Sequence, residues 1–189
     1  MNKVVSSKED ILKASRNLIE REDAYSINIR AIAKEANISV GTIYNYYSSK
    51  EELIIDIIKN IWFDIFHSSN VFSDNISFLE ALENIFIALE NGDKKYTNFY
   101  SWHSTILADK NEKEKGRIMM NKMFNHIKHS LEKYLDIDAN IRDNVFNSSF
   151  TKQDFIDFVF SFIISSVSST MKSHYKFSTL KEVITRIIY

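Results

Sequence analysis

The chain has 189 residues, 44% hydrophobic and 26% charged, which is an ordinary globular composition with enough length to bury a core in one or two small domains. With no proline and only three glycines (Gly41, Gly92 and Gly116), it lacks the turn punctuation of sheets and α/β folds, so an all-α fold is expected. The absence of cysteine excludes disulfides, thiolate-bound zinc, iron–sulfur clusters and thiol nucleophiles, and a net charge of −1 carries no bulk signature of nucleic-acid binding.

The first helix is expected to open at Ser7. There Ser7 with Asp10, or Ser6 with Glu9, supplies a cap and its reciprocal acid. Ile11, Leu12, Ser15, Leu18 and Ile19 keep the spacing of one buried face, which ends at Glu22-Asp23. Asn28 caps a second helix with an inner face of Ile29, Ile32, Ala33 and Ala36, whose alanines allow close helix approach. In Asn37-Ile38-Ser39 the asparagine tolerates the left-handed backbone that reverses a chain, and Ser39 caps a short third helix from Val40 to Tyr47. Ile43 and Tyr47 form the buried side of that helix. Ser48-Ser49 stops it, and Ser49 with Glu52 makes a capping box for a long fourth helix lined by Leu53, Ile54, Ile57, Ile58, Ile61, Trp62 and Ile65.

Further helices are predicted at about 75–90, 94–109, 113–135, 152–174 and 179–188. Asn91-Gly92-Asp93 is expected to separate the first two, Thr151 with Asp154 to open the fourth, and the polar stretch from Asp136 to Ser149 to form a loop. The expected division is a domain over 1–52 and a second over 53–189, with the fourth helix, 50–67, as a shared linker. The most apolar stretch, Phe155 to Val167, is too short for a membrane span and is interrupted by Asp157, Ser161, Ser165 and Ser166. The start, Met1 to Val5, has no apolar signal-peptide core, so a cytoplasmic protein without a membrane partner is expected.

Two short helices joined by a tight turn and steadied by a preceding helix are the parts of a helix-turn-helix. With Ile43 and Tyr47 behind, the third helix would expose Val40, Gly41, Thr42, Tyr44, Asn45 and Tyr46 to a major groove. Gly41 lets backbone come close to DNA, Thr42 and Asn45 carry hydrogen-bonding groups, and the phenols of Tyr44 and Tyr46 reach phosphate oxygens. Lys50 stands at the start of the fourth helix, where free amides and the positive dipole end suit a phosphate. Residues 1–60 hold nine Lys/Arg against nine Asp/Glu, so binding must rest on arrangement and not on bulk charge.

The run Ile32-Ala33-Lys34-Glu35-Ala36-Asn37-Ile38-Ser39-Val40-Gly41-Thr42-Ile43-Tyr44-Asn45-Tyr46-Tyr47, followed by Ser49-Lys50-Glu51-Glu52-Leu53, makes residues 7–66 resemble the TetR-type transcriptional repressors. The resemblance implies an N-terminal three-helix DNA-binding domain and a C-terminal helical domain that dimerises and holds an inducer. By position it implies base or groove contacts from Val40, Gly41, Thr42, Tyr44 and Asn45, and phosphate contacts from Asn28, Tyr46 and Lys50. Val40 stands where the family often has lysine or another polar residue, which makes that contact apolar. Asn37 replaces a frequent turn glycine.

In the C-terminal two-thirds, Phe99, Tyr100, Trp102 and His103, with Phe124 and Phe162, are the candidate site for a small apolar or aromatic effector, set against ordinary core packing. Phe155, Phe158, Val159, Phe162, Ile163, Ser166 and Ser169, with Val183, Ile184, Ile187 and Ile188, are the candidate dimer interface. The resemblance implies a four-helix bundle across a two-fold axis there, hence a homodimer on a roughly palindromic double-stranded operator. His126, His129 and Glu132 share a helix face, but Lys122, Lys128 and Lys133 surround them, so they are read as a solvated face and not as a metal site. No catalytic set and no cofactor motif is present, so no enzyme is expected. The reading is a bacterial, ligand-released repressor. Its alternative is a protein of the same fold acting as an activator, or as a protein-binding co-regulator whose head does not bind DNA in the usual way.

Overall fold

The computed structural model describes residues 7–67, 71–73, 75–108, 113–167 and 176–189. Ser6, Ser169, residue 109 and residues 168–174, on which expectations above fall, lie outside the described residues. Among the described residues every extended element is a helix, and residues 138–151 form a loop closed by a single antiparallel bridge between Asn147 and Phe150. The chain forms α1 (Lys8–Arg21), a 3-10 turn (Ala24–Ser26), α2 (Ile29–Glu35), α3 (Val40–Tyr44), α4 (Lys50–His67), α5 (Phe78–Lys95), α6 (Phe99–Ala108), α7 (Lys113–Ile137), α8 (Lys152–Val167) and α9 (Phe177–Ile188). None of the described helices is long and apolar enough to cross a membrane.

By packing, the chain forms two compact units, Met1–Ile65 with Gly92–Ile118, and Phe66–Asn91 with Met119–Tyr189. This grouping places α6 with the first four helices, across the 1–52 and 53–189 division drawn from the sequence.

In the first unit α1 opens with the expected capping box. Ser7 Oγ accepts from the Asp10 amide at 3.1 Å, and the Asp10 carboxylate accepts from the Ser7 amide at 2.8 Å. Ile11, Leu18 and Ile19 are buried, as are Ile32 and Ala33 of α2, which packs against α1. Each such aliphatic side chain taken from water stabilises the fold by about 1.5–3 kcal/mol. At the helix ends Arg21 grips Glu35 with two hydrogen bonds of 3.1 and 2.8 Å, and that guanidinium holds the Glu35 carboxyl below its ordinary range.

Two local expectations change. The third helix ends at Tyr44 and not at Tyr47, because the chain tightens: the Tyr46 amide donates to Ile43 O, three residues back, at 3.0 Å. The break expected at Asn91-Gly92-Asp93 is absent, and α5 runs on to Lys95. Gly92 is there for close approach: a Cβ on it would lie 2.7 Å from Ile65 Cγ1 and 3.0 Å from Tyr100 Oη. The reversal comes later, at Asn98, with φ 62°. Asn37, Asn75 and Asn144 also have positive φ and no described glycine does, so asparagine supplies the left-handed positions of this glycine-poor chain.

The second unit is built on Phe78, Leu82, Ile85, Leu131, Phe155, Ile156, Val159 and Leu180, all buried. Asp138, at the end of α7, accepts from the Phe78 amide at 3.0 Å and from the Tyr189 hydroxyl, tying the chain end to the start of α5. Arg142 closes α9 by donating to Ile187 O at 2.6 Å. Phe155, Val159, Ile163, Ser166, Ile184 and Ile188, expected at a dimer interface, are instead buried in this unit's own core. Phe158 and Val183 are exposed, and Phe162 and Ile187 are half-buried. Both helices are apolar on two sides, and periodicity alone does not tell the inward stripe from the outward one.

Candidate nucleic-acid interface

The reading edge of the head is built from its turns. Asn28 begins α2 with Oδ1 accepting from the Ala31 amide at 2.9 Å, while its Nδ2 donates to Ser26 O at 3.0 Å. The side chain proposed for a phosphate is therefore already held at both ends by its own chain. Asn37, with φ 54°, turns the backbone, and the Ile38 amide donates to Ala33 O at 2.9 Å to close α2. Ser39 then caps α3, its Oγ accepting from the Thr42 amide at 3.0 Å. The same Oγ is 2.9 Å from Thr42 Oγ1, so the two hydroxyls are paired.

Behind this edge α3 is firmly anchored. Ile43 and Tyr47 are 1% exposed. The Tyr47 hydroxyl donates to Asp56 Oδ2 of α4 at 2.9 Å, and burial together with that carboxylate raises the phenol well above its ordinary range. Lys8 Nζ sits 4.6 Å from the centre of the Tyr47 ring, a cation over an aromatic face from the first turn of α1.

In front, Gly41, Tyr44 and Asn45 are exposed, Tyr44 at 50%, while Val40, Thr42 and Tyr46 are half-buried. A Cβ on Gly41 would meet nothing closer than Ser39 Oγ at 3.6 Å, and the residue has no positive φ. Nothing in the protomer demands glycine there. Glycine in a helix costs about 0.5–1 kcal/mol relative to alanine, so it is kept here without a packing reason inside the protomer.

The start of α4 differs from the open phosphate site expected around Lys50. Lys50 is exposed, but the Glu52 amide donates to Ser49 Oγ at 3.1 Å, and the Glu51 carboxylate is held low by a hydrogen bond from its own amide. Glu52 reaches back to Ser48, accepting from its amide and its hydroxyl at 2.7 Å each. The reciprocal acid of this cap therefore pairs with Ser48 and not with Ser49. The carboxylates of Glu51 and Glu52 leave a mixed field beside Lys50, so its contribution is the flexible ammonium itself.

The six candidate effector residues are divided between the two units. Phe99, Tyr100, Trp102 and His103 are buried in the first unit, and Phe99, Tyr100 and His103 pack around Trp62 of α4 with ring centres 5.3–5.8 Å apart. Phe124 and Phe162 are half-buried in the second unit, where Phe124 meets Phe160 edge-on. Within the aromatic cluster His103 Nε2 is buried with no hydrogen-bond partner among the described residues, and burial pushes its imidazole down to about 4. The second unit has an open groove of about 540 Å³ that sequence reasoning missed, lined by Phe72, Ser73, Asn75, Ser130, Lys133, Tyr134 and Ile137. Its residues come from a loop and one helix end, with no periodic pattern to join them. On the helix face weighed for metal, His129 Nδ1 lies 3.5 Å from Glu132 at the surface, and Lys128 turns to Asp157 at 2.8 Å.

Residues 11–57, the span from α1 into α4, match the model of bacterial regulatory proteins of the tetR family. That match gives the head, residues 11–57, the character of a tetR-family regulatory domain. The TetR-type head and the helices after it are similar to the HTH-type transcriptional regulator BetI of Vibrio campbellii, 23% identical over 141 residues and 69% of each chain. Among solved structures the TetR-family fold is shared with BioQ bound to its natural double-stranded DNA operator, at 13% identity, 96% coverage of each chain and a TM-score of 0.62. It is shared too with FadR from Bacillus subtilis in complex with stearoyl-CoA, at 16% identity, 94% coverage of this chain, 95% of that one and a TM-score of 0.65. By the head match and the BetI similarity the chain is a DNA-binding transcriptional regulator.

Proposed function

We propose that this regulator is a repressor of the TetR type, that it binds a roughly palindromic double-stranded operator as a homodimer, and that a small apolar or aromatic effector releases it. The observation that carries the reading is Gly41: an exposed helical glycine that the fold does not require, on an edge with Val40, Thr42, Tyr44, Asn45 and Tyr46, with Ile43 and Tyr47 anchored behind. Val40, Gly41, Thr42, Tyr44 and Asn45 read the groove, while Tyr46, Lys50 and the start of α2 at Asn28 position the head on phosphates. BioQ, solved with a DNA operator, supports the choice of a duplex as partner.

Dimerisation is assigned to the outward stripe of α8 and α9, Phe158 and Phe162 with Val183 and Ile187. These side chains stay exposed or half-buried in a single chain. A two-fold axis there sets two α3 helices on half-sites one helical turn, or a multiple of it, apart. The effector is assigned to the cluster of Phe99, Tyr100, Trp102 and His103, with His103 Nε2 as its polar anchor. FadR, which carries stearoyl-CoA, supports an apolar or acyl ligand. Release requires only that the effector bind more tightly to the dimer state with misplaced heads than to the DNA-bound state.

The test is fluorescence anisotropy on duplex from upstream of the gene, at two salt concentrations, beside a scrambled duplex. Preferential, salt-weakened binding by two protomers is the expected result. If neither this DNA nor any duplex selected from a random pool is preferred, the repressor reading falls. The equal charge count of residues 1–60 would then favour a head that binds protein.

A further inference from the structure

The reading edge is unusual in its chemistry. From Ala36 to Ser49 the sequence holds no charged residue, so neither the turn nor α3 carries a guanidinium or ammonium for the guanine edge. Its first helical residue, Val40, is wholly apolar and half-exposed. Thr42, one helical step beyond Gly41, has its hydroxyl 2.9 Å from Ser39 Oγ, and that same oxygen accepts from the Thr42 amide. This double tie fixes the Thr42 rotamer with its oxygen turned back into the cap, leaving a methyl as the other branch. Between the two stands Gly41, where the backbone has open space in front of it. Val40 and the Thr42 methyl thus each offer an apolar group, one on either side of Gly41 in sequence, within a stretch that has no charge of its own.

In the major groove the 5-methyl of thymine is the apolar feature that such groups can each recognise. We infer that this protein reads its operator half-site through thymine methyl groups, with Val40 as the specificity-determining residue and the Thr42 methyl as the second contact. The inference rests on the DNA-binding reading above. Burying one methyl against Val40 is worth roughly a fourfold change in affinity, and roughly fifteenfold when both half-sites of a dimer are altered together.

The experiment begins with duplex selected from a random library by the full-length protein. Each thymine of the selected site is then replaced in turn by deoxyuridine, which removes only the methyl. At one symmetric pair of positions the wild-type protein is expected to lose roughly fifteenfold in affinity. Val40→Ala should bind the thymine and deoxyuridine duplexes equally at that pair. Thr42→Ser, which keeps the hydroxyl pair with Ser39 and deletes one methyl, should lose discrimination at a different thymine.

Selected DNA that binds tightly yet is indifferent to deoxyuridine everywhere would overturn the inference while leaving DNA binding intact. Full discrimination retained by Val40→Ala would overturn the assignment to Val40. A pool in which no duplex is enriched would remove the DNA-binding reading and this inference together.

Discussion

The hydroxyl of Tyr47 donates a 2.9 Å hydrogen bond to Asp56, joining the residue just beyond α3 to the second turn of α4. It makes the rear of the reading helix part of α4, so the exposed edge is presented by a rigid support. Tyr47→Phe keeps the buried ring and deletes this one bond. It is expected to lower stability by about 1 kcal/mol and to weaken operator binding several-fold, as read by urea unfolding and anisotropy on the same preparation. An unchanged unfolding midpoint would show that Asp56 gains as much from water.

Two glycines give opposite expectations for the same substitution. At Gly41 a Cβ has room, so Gly41→Ala should stabilise the free protein by about 0.5–1 kcal/mol while weakening operator binding at least roughly tenfold through lost approach. At Gly92 a Cβ would fall 2.7 Å from Ile65 Cγ1, inside a buried contact between α5 and α4. Gly92→Ala should therefore destabilise by about 1–3 kcal/mol. Chemical denaturation of both variants separates the cases. Tight operator binding by Gly41→Ala would remove the argument that DNA explains this glycine.

Lys50 is the cation nearest in sequence to the uncharged reading edge. If it meets a phosphate in each half-site, Lys50→Ala should make the slope of log affinity against log salt shallower by about 2 per dimer. Sequence preference should stay as it was. A slope that does not change would place Lys50 off the DNA.

His103 predicts a pH dependence of stability. Its imidazole is pushed from 6.5 to about 4 by burial, so between those values the unfolded chain binds the proton more readily than the folded one. Stability from this group is therefore complete above about pH 6.5 and declines as the pH falls toward 4, by up to about 1.4 kcal/mol per pH unit. The lowered carboxylates, Glu35, Glu51, Glu80, Asp64 and Asp138 among them, add a decline at the acid end of this window that variant and wild type share. His103→Phe keeps an aromatic ring in the cluster and should flatten the decline. Equal slopes for variant and wild type between pH 6.5 and 4.5 would mean that the imidazole is protonated in the folded state.

The head was legible because its signals are local. A capping oxygen, a left-handed asparagine and a 3.6-residue apolar stripe each act over three or four positions, and Ser7, Asn28, Asn37 and Ser39 all do what their residue types favour. Gly92 misled for the opposite reason. A glycine flanked by asparagine and aspartate has the chemistry of a helix stop, but the nearness of Ile65 and Tyr100 uses it as a space for packing, a relation formed across the fold.

The same division runs through the whole protein. By itself the sequence determined that the chain is all-α, where most of its helices begin, and that α3 carries an uncharged edge with Gly41 in front and Ile43 and Tyr47 behind. Those properties follow from composition and short-range spacing. Only the tertiary structure decided that Phe155, Val159, Ile163 and Ile184 face inward and Phe158 and Val183 outward. It also decided that Phe99, Tyr100 and His103 gather on Trp62 while Phe124 lies in the other unit, and that Glu52 answers Ser48. A helix with two apolar sides has no preference of its own between them, and the choice is made by which neighbours exclude water.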